Sequence, residues 1–283
     1  MQKQFRNIRK KMDVNKNLNA LFIGDVVGNE GINALKEYLP GLIDKFLPDI
    51  VVVNGENAAE GKSITETESQ QIFILGADVI TSGNHVWDNW KSRPLLANNP
   101  KVLRPLNYPP GNVGRGYVFH TSAESHEIAV LNLQGRTFMQ MIDCPFRSAD
   151  NALKAIQEKT KYIIVDFHAD ATAEKVAMGW YLDGRVSAVI GTHTHIQTSD
   201  ARILPSGTAF ITDVGMTGPY NSVVGLKKDI AIKRLTLQTP FKYEMGEGDI
   251  RICGVFVQID KQSGKAVKIQ EFMIPQPVKE IIE

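Results

Sequence analysis

The sequence contains few cysteines and no long apolar segment, and each shortage excludes a class of protein. Only Cys144 and Cys253 occur among its 283 residues, without the spacing of a disulfide framework or a zinc finger. There is no run of about 18 apolar residues, the length of a membrane-spanning helix. The N-terminal segment also lacks the apolar centre of a signal peptide. We therefore expect a cytoplasmic protein that does not enter the membrane, with two buried thiols in a reducing compartment.

A strong excess of charge of one sign is also lacking, since the net charge is +1. The distribution is uneven: residues 1–17 carry six Lys or Arg against Asp13, so this extension is +5 and the remainder is −4. The body of the protein therefore lacks the basic surface typical of nucleic-acid-binding proteins. The extension could contact RNA or anionic lipid or be simply solvated, and we favour solvation. Met12 is an alternative start of the native chain.

Short β-branched apolar runs alternate with helical patterns, which is typical of α/β proteins. The strands that we predict are Leu18–Gly24, Asp49–Asn54, Asp78–Ser82, Glu127–Asn132, Tyr162–Phe167 and Arg185–Gly191. The helices are Ile32–Phe46, Thr67–Leu75, Ser148–Glu158 and Thr172–Leu182, the last with Thr172 as its predicted N-cap.

The C-terminal third changes in character. Thr208–Thr212, Ile250–Ile259 and Ala266–Met273 resemble strands with few helices between them, which favours a second sheet packed on the first. No repeat or linker divides the chain. We therefore predict a single domain over residues 18–283 that follows the basic extension, and the oligomeric state stays open, a homo-oligomer included.

Polar residues with metal-binding chemistry follow five of the predicted strands. In an open α/β sheet, ligands bind outside the carboxyl ends of the strands, so these five groups should converge. Their Asp, Glu, Asn and His side chains, without a thiolate, form a ligand set suited to Mn, Fe or Zn. Seven candidates exceed the needs of one ion and suit two ions that share a carboxylate: Asp25, Glu56, Asn57, Asn84, His168, His193 and His195.

Local spacing adds to this interpretation. Residues two apart in an extended chain point to the same side, so His193 and His195 could each serve one ion from a single strand end. Glycines precede four of the five ligand groups, where they could adopt positive φ and leave room for an anion, or act only as turn residues: Gly24, Gly55, Gly83 and Gly191.

Two nucleotide-binding motifs are imitated but not reproduced. Residues 55–63 end in Gly-Lys-Ser like a P-loop, yet they place five residues between the glycines instead of four and put acidic side chains where phosphate would bind. Residues 24–31 lack the spacing of a dinucleotide-binding loop. We therefore set both alternatives aside.

The segments Gly83-Asn84-His85 and Gly191-Thr192-His193-Thr194-His195 resemble the GNH and G-x-H-x-H boxes of the calcineurin-like metallophosphoesterases. The usual first box, D-x-H, has no histidine here, and Glu56-Asn57 stands where an Asp is common. These departures resemble the YmdB-type bacterial phosphodiesterases, as do the segments LFIGDVVG, NGENAAEGK, NLQGRTF, DFHADATAEK, GTHTHIQT and ITDVGMTGPY. The resemblance extends from about residue 18 to the C-terminus.

The resemblance implies a four-layer α/β/β/α sandwich of two packed mixed sheets, a dinuclear metal centre and phosphodiesterase activity on 2′,3′-cyclic or 3′,5′-cyclic nucleotides. It implies one ion held by Asp25, Glu56, Asn57 and His195. It implies a second ion held by Glu56, Asn84, His168 and His193, with Glu56 as the bridge. Iron or manganese are the expected ions, with zinc as the third option.

The same resemblance makes His85 the catalytic histidine rather than a ligand. The chemistry agrees, because two ions generate hydroxide from a bridging water, whereas a departing ribose oxygen needs a proton that a histidine can supply. A hydrogen bond from His85 to a ligand is the alternative. We also expect residues 134–139 and 213–220 to form the substrate wall, with Arg136 as a phosphate partner. A phosphomonoesterase and a non-catalytic, metal-stabilised regulator stay open as other functions.

Overall fold

The computed structural model of the protein describes residues 16–276. Residues 1–15 and 277–283 lie outside this range, and so does almost all of the predicted basic extension. The first strand begins at Asn17, one residue before the predicted start of the domain.

Two sheets form the centre of the protein. The first has seven strands in the order β2-β11-β12-β1-β3-β4, with β13 beside β12. Its strands are β1 Asn17–Ile23, β2 Asp25–Val26, β3 Ile50–Asn54, β4 Val79–Thr81, β11 Met216–Pro219, β12 Ile250–Asp260 and β13 Ala266–Ile274. Strands β1, β3 and β4 run parallel, whereas β12 is antiparallel to β1, so the sheet is mixed.

The second sheet has six strands in the order β5-β6-β7-β8-β10-β9. They are β5 Tyr117–Thr121, β6 Glu127–Gln134, β7 Tyr162–His168, β8 Ala188–Thr192, β9 Arg202–Ile203 and β10 Ala209–Ile211. The four central strands are parallel and both edge strands are antiparallel, so this sheet is also mixed.

Alternation along the strands builds the core between the sheets. Phe22 and Val52 of the first sheet and Val130 and Ile164 of the second belong to one buried cluster. Their neighbours one residue along the chain, such as Leu21 and Leu131, belong to separate clusters on the outer faces. Both faces of each sheet are therefore apolar, and each needs a covering layer.

Helices cover the two outer faces. The first sheet is packed by α1 Gly28–Phe46, α2 Glu66–Ile74 and α3 Ser92–Asn98, and the second by α4 Pro145–Gln157 and α5 Thr172–Leu182. This arrangement is the predicted four-layer α/β/β/α sandwich of two mixed sheets. A sixth helix, α6 Lys228–Leu237, packs in a small cluster with Phe241 and Tyr243.

Three local expectations were wrong. Helix α5 begins at Thr172, and its N-cap is Ala171 without a side-chain hydrogen bond, so Thr172 does not cap it. Strand β8 begins at Ala188, because residues 183–187 form a turn after α5. The strands of the C-terminal third do not form a sheet of their own, because β12 pairs with β1 and β13 with β12 in the first sheet, whereas β10 pairs with β8 in the second. Among the described residues, no helix is both long and apolar enough to cross a membrane.

The packing of α5 against β10 predicts opposite effects of adding one methyl group at two helical glycines. A Cβ at Gly179 would lie 2.5 Å from the ring of Phe210, whereas a Cβ at Gly41 of α1 would meet nothing within 4 Å. We expect Gly179→Ala to lower the free energy of unfolding by about 1–3 kcal/mol through overpacking. Gly41→Ala should raise it by about 0.5–1 kcal/mol. Urea unfolding of both variants checks this, and equal effects would contradict the close contact.

Candidate active site

The predicted ligand groups converge at the carboxyl ends of the parallel strands of both sheets. Asp25 follows β1, and Glu56 with Asn57 follows β3. Asn84 and His85 open the short 3₁₀ helix Asn84–Trp87 after β4. From the second sheet, His168 is the last residue of β7, and His193 and His195 follow β8. The two sheets therefore bring to one place side chains that lie up to 170 positions apart in the sequence.

Glu56, His168 and His193 form the centre of this group. Their ligand atoms all lie within 4.8 Å of one another. His168 Nε2 contacts Glu56 Oε2 and lies 3.0 Å from His193 Nδ1. Asn84 Oδ1 lies 3.1 Å from the same His168 nitrogen, so one imidazole nitrogen faces three potential ligand groups.

Asp25 adjoins this cluster and is completely buried. Its Oδ2 accepts a hydrogen bond from the backbone N–H of His193 at 3.3 Å, and its Oδ1 lies 3.7 Å from His168 Nδ1. His195 interacts electrostatically with Asp25, while its Nδ1 is 2.9 Å from the carbonyl oxygen of Val224. Nε2 of His195 is therefore the nitrogen that remains available to bind a metal ion.

Asn57 lies beside the turn between β2 and α1, where it forms a bridge with Val27. Its Nδ2 donates to the carbonyl oxygen of Gly61 at 3.1 Å. This hydrogen bond fixes the amide and leaves its carbonyl oxygen as the atom that a cation could use.

The electrostatics of the cluster favour added positive charge. Burial alone raises the pKa of Glu56, but the charge and close contact of His168 outweigh it and lower this pKa to about 2. Burial lowers the pKa of His168, but Glu56 and Asp25 together raise it to about 9. Burial raises the pKa of Asp25, and the neighbouring histidines offset this only in part. A cation beside Asp25 would oppose the effect of burial and favour the ionised form of its carboxyl group.

His193 has the opposite character. Burial and the charge of His168 lower the pKa of its imidazole to about 3, so it is neutral at physiological pH. A neutral imidazole is the form that binds a metal ion.

The residues present fit the divalent ions that the resemblance implies. Asp25 Oδ1 is a buried carboxylate oxygen without a hydrogen bond among residues 16–276, and Glu56 Oε2 is buried against His168 Nε2. Buried polar atoms normally have partners, and an orphaned carboxylate oxygen beside a second carboxylate, imidazoles and amide groups is a suitable environment for Mn, Fe or Zn.

The segment that carries His193 and His195 is not extended, and our reason for pairing them was wrong. His193 has φ 102° and His195 has φ 66°, both in the left-handed region that few non-glycine residues adopt. Asp213 Oδ2 holds the turn between them, accepting hydrogen bonds from the backbone N–H of Thr194 at 3.0 Å and from its hydroxyl at 2.8 Å. Lys175 Nζ lies 2.6 Å from the same oxygen and neutralises its charge inside the core.

The glycine at position 83 serves close packing rather than positive φ. Its φ is −151°, and a Cβ there would overlap the ring of His168 and the carboxylate of Glu56. The glycines at 24, 55 and 191 likewise lack positive φ. The side chains of His168 and Glu56 fill the space beside Gly83. This space is therefore not available to an anion, which was one of the two roles that the sequence allowed for the glycine.

His85 lies at the edge of the cluster with about a third of its side chain exposed. Its backbone N–H donates to Glu56 Oε1 at 2.5 Å, and its Nδ1 lies 2.9 Å from Asp88 Oδ2. Asp88 orients the ring and leaves Nε2 as the free nitrogen. His85 therefore touches the centre through its backbone, while its imidazole faces outward.

Arg136 follows the end of β6, with its side chain half-buried. Its backbone N–H donates a hydrogen bond to Glu174 Oε1 at 3.1 Å. A contact between its guanidinium and a phosphate stays a prediction.

A second row of buried polar groups supports His168, and our sequence analysis did not include it. Thr192 Oγ1 lies 2.7 Å from Asp166 Oδ1 and 2.9 Å from His168 Nδ1. Burial is the largest influence on Asp166 and raises its pKa to about 7. Above that pH the carboxylate can only accept, so the Thr192 hydroxyl donates to Asp166 and accepts from His168 Nδ1–H. A metal ion that replaces the proton on His168 Nε2 would find the imidazole already held in this tautomer.

Sequence periodicity could have identified part of this row. Asp166 precedes His168 by two residues in one strand, and Thr192 pairs with His168 across the β7-β8 ladder, so all three share a face. The pairing register itself depends on the tertiary structure. Lys175 and Asp213 offered no such signal, because a lone lysine in a helix is normally exposed.

Two mixed sheets in four layers, with acidic, amide and histidine side chains gathered at the strand ends, are the arrangement of a metallophosphoesterase of the calcineurin-like fold. The model of the YmdB-like protein family matches residues 21–272, and this chain belongs to that family.

Relatives and solved structures agree with this assignment. A protein of Bacillus subtilis (strain 168) named 2′,3′-cyclic-nucleotide 2′-phosphodiesterase is 49% identical over 254 residues, which cover 90% of this chain and 96% of that protein. A crystal structure described as a novel phosphatase from Mycoplasma pneumoniae superposes with a TM-score of 0.86 at 32% identity, covering 91% of this chain and 93% of that one. A hypothetical protein from Thermus thermophilus superposes with the same TM-score of 0.86 at 38% identity, covering 92% and 100%.

The hydrogen bond from His168 to Thr192 predicts that removing the Thr192 hydroxyl weakens metal binding although every candidate ligand is kept. We expect Thr192→Val to weaken metal binding by about 10- to 100-fold, because the tautomer and orientation of His168 are no longer fixed. Thr192→Ser keeps the hydroxyl and should retain most of the affinity. Chelator competition on the alkaline side of neutrality measures both variants. Equal affinities for Thr192→Val and the unaltered protein would show that the hydroxyl does not orient the ligand.

Proposed function

We propose that this chain is a metal-dependent phosphodiesterase that hydrolyses cyclic nucleotides, with 2′,3′-cyclic nucleotides as the first candidates and 3′,5′-cyclic nucleotides as the second. The observation that carries the proposal is the buried cluster of Glu56, His168 and His193 beside the orphaned carboxylate oxygen of Asp25. The activity named for the Bacillus subtilis relative, at 49% identity, supports the choice of substrate.

Two ions would be held by the seven predicted ligands. Glu56 has the central position for a shared carboxylate, because its two oxygens face different groups: His168 on one side and the His85 backbone N–H on the other. The first ion would use Asp25, Asn57 and His195, and the second Asn84, His168 and His193. Iron or manganese suits these nitrogen and oxygen ligands, with zinc as the third option. Such ions lower the pKa of a water and neutralise charge on phosphoryl oxygens.

His85 is the group that would deliver the proton to the leaving oxygen. Asp88 holds its Nδ1 at 2.9 Å, and about a third of the side chain is exposed, so Nε2 is the nitrogen that could meet a substrate. An imidazole with a proton on Nε2 is a suitable general acid for a ribose alkoxide. Because the hydrogen bond from His85 to Glu56 is made by the backbone N–H, the side chain of His85 can be removed without removing that bond.

A panel of substrates tests this function on the purified protein with its metal ions. We expect faster turnover of 2′,3′-cyclic nucleotides than of nucleoside monophosphates. The reverse order would replace the proposal with a phosphomonoesterase, the activity suggested by the description of the Mycoplasma pneumoniae structure as a phosphatase. Turnover of neither class would contradict both.

The role of His85 predicts an effect that depends on the leaving group. We expect His85→Ala to reduce turnover of a cyclic nucleotide by about 10²- to 10⁴-fold, the usual contribution of a positioned general acid. It should reduce turnover of a p-nitrophenyl phosphodiester much less, because p-nitrophenolate leaves without a proton. Steady-state kinetics on both substrates and metal analysis measure this.

His126→Ala is the matched control for His85→Ala. His126 is also partly exposed, but it lies at the turn before β6, at the amino end of the second sheet. It should change neither reaction. Equal losses on the two substrates in His85→Ala, or a loss of metal, would make His85 a ligand or a structural group.

The shared position of Glu56 predicts the loss of both ions from one substitution. Glu56→Gln keeps the shape of the side chain but removes the charge that pairs with His168, so metal analysis should find both ions depleted and both phosphodiester reactions lost. Glu60→Gln, an exposed position four residues later in the same loop, should keep full metal content. A variant Glu56→Gln that keeps two tightly bound ions would remove Glu56 from the bridge.

A further inference from the structure

The loop that follows β6 carries an exposed aromatic side chain in an unusual conformation. Phe138 is 86% exposed and has φ 62°, and Met141 nearby is 87% exposed. Left-handed φ is unfavourable for a bulky aromatic residue and persists only where the surroundings impose it. Such strain concentrates at ligand-binding sites.

Hydrogen bonds hold the first half of this loop firmly against the site. The N–H of Gly135 donates to the carbonyl oxygen of the candidate ligand His168 at 3.0 Å. The next two N–H groups, of Arg136 and Thr137, donate to the Glu174 carboxylate at 3.0–3.1 Å. The N–H of Met139 closes a turn onto the carbonyl oxygen of Arg136 at 3.2 Å. Phe138 lies inside this turn and is exposed although the backbone on both sides of it is fixed.

The second half of the loop also adjoins the site. Gln140 Oε1 accepts a hydrogen bond from the Tyr108 hydroxyl at 3.0 Å. The Tyr108 ring packs edge-on against Trp87, with centroids 5.7 Å apart, and Trp87 ends the 3₁₀ helix that carries Asn84 and His85. Burial first, and then the charge of Glu56, raise the pKa of Tyr108, so its hydroxyl lies within electrostatic range of the cluster. Both ends of residues 135–140 are thus anchored to groups around the candidate centre.

We propose that Phe138 is a stacking platform for the nucleobase of the substrate. This inference rests on the proposed function and deepens it. The phosphate and ribose of a cyclic nucleotide are polar and are served by the centre and His85, but its base is a flat ring with apolar faces. An aromatic ring fixed at the rim offers a surface that every base can use, and stacking of this kind is worth about 5- to 100-fold in binding.

The test compares one cyclic phosphodiester that has a base with one that lacks it. Phe138→Ala should lower kcat/KM for a 2′,3′-cyclic nucleotide by about 5- to 100-fold, mainly through KM, because stacking binds the ground state and transition state alike. It should leave glycerol 1,2-cyclic phosphate unaffected. Phe138→Trp should preserve the nucleotide reaction. Trp180→Ala on α5, which removes another aromatic side chain, 52% exposed, is the matched control and should change neither reaction.

Other outcomes have distinct meanings. An equal loss on both substrates, or no loss on either, would contradict the platform. A changed mass in light scattering of Phe138→Ala, with an unchanged nucleotide KM, would instead make Phe138 a contact between two copies of the chain and would overturn the proposal. The proposed function fails separately: it fails if the unaltered protein hydrolyses neither phosphodiester, whereas the platform fails if both are hydrolysed and their ratio does not depend on Phe138.

Discussion

The concentration of buried negative charge between the carboxyl ends of the two sheets is the constraint on which the rest of this structure depends. Four carboxylates there are completely inaccessible to solvent: Asp25, Glu56, Asp166 and Asp213. Two of them have direct cationic partners, Lys175 for Asp213 and His168 for Glu56. An unpaired buried charge costs several kcal/mol, and burial accordingly raises the pKa of both Asp25 and Asp166. Divalent cations would remove this cost, so the groups that destabilise the fold without metal are the groups that would bind it.

The fold tolerates this charge because its rigid parts surround it. Apolar residues fill the space between the sheets along most of each strand, and polar side chains occupy the strand ends. Hydrogen bonds to Asp213 then hold His193 and His195 in left-handed conformations that their sequence alone would not favour. The strain is local, and the ion pair between Asp213 and Lys175 in the core stabilises it. A ligand turn built in this way needs little reorganisation on metal binding.

The four layers were predicted from the resemblance to a family, whereas the place of the site was predicted from short-range patterns. Alternation within the strands and the polar residues after them required no knowledge of distant contacts, and they located Asp25, Glu56 and His168 correctly at the strand ends. The conformation of the His193–His195 turn was not predictable, because Asp213 imposes it from another part of the chain. The role of Thr192 depended on the register of β7 and β8. Helix α6 escaped notice because its apolar residues are largely exposed, so its sequence shows no amphipathic stripe.

The distinction between strand ends and loops also separates the candidate metal ligands from the groups that we propose to select the substrate. The candidate ligands belong to strand ends and to turns fixed by buried hydrogen bonds, which suits the proposed centre of two ions at a constant separation. The groups that we propose to meet the substrate belong to loops: His85 and Asp88 in and after the 3₁₀ helix, and Phe138 in the loop after β6. Backbone hydrogen bonds tie these loops to the centre, such as the His85 N–H to Glu56 and the Gly135 N–H to the His168 carbonyl oxygen. Substitutions in the loops can therefore change the leaving group or base that is preferred while the charge balance of the buried centre stays the same.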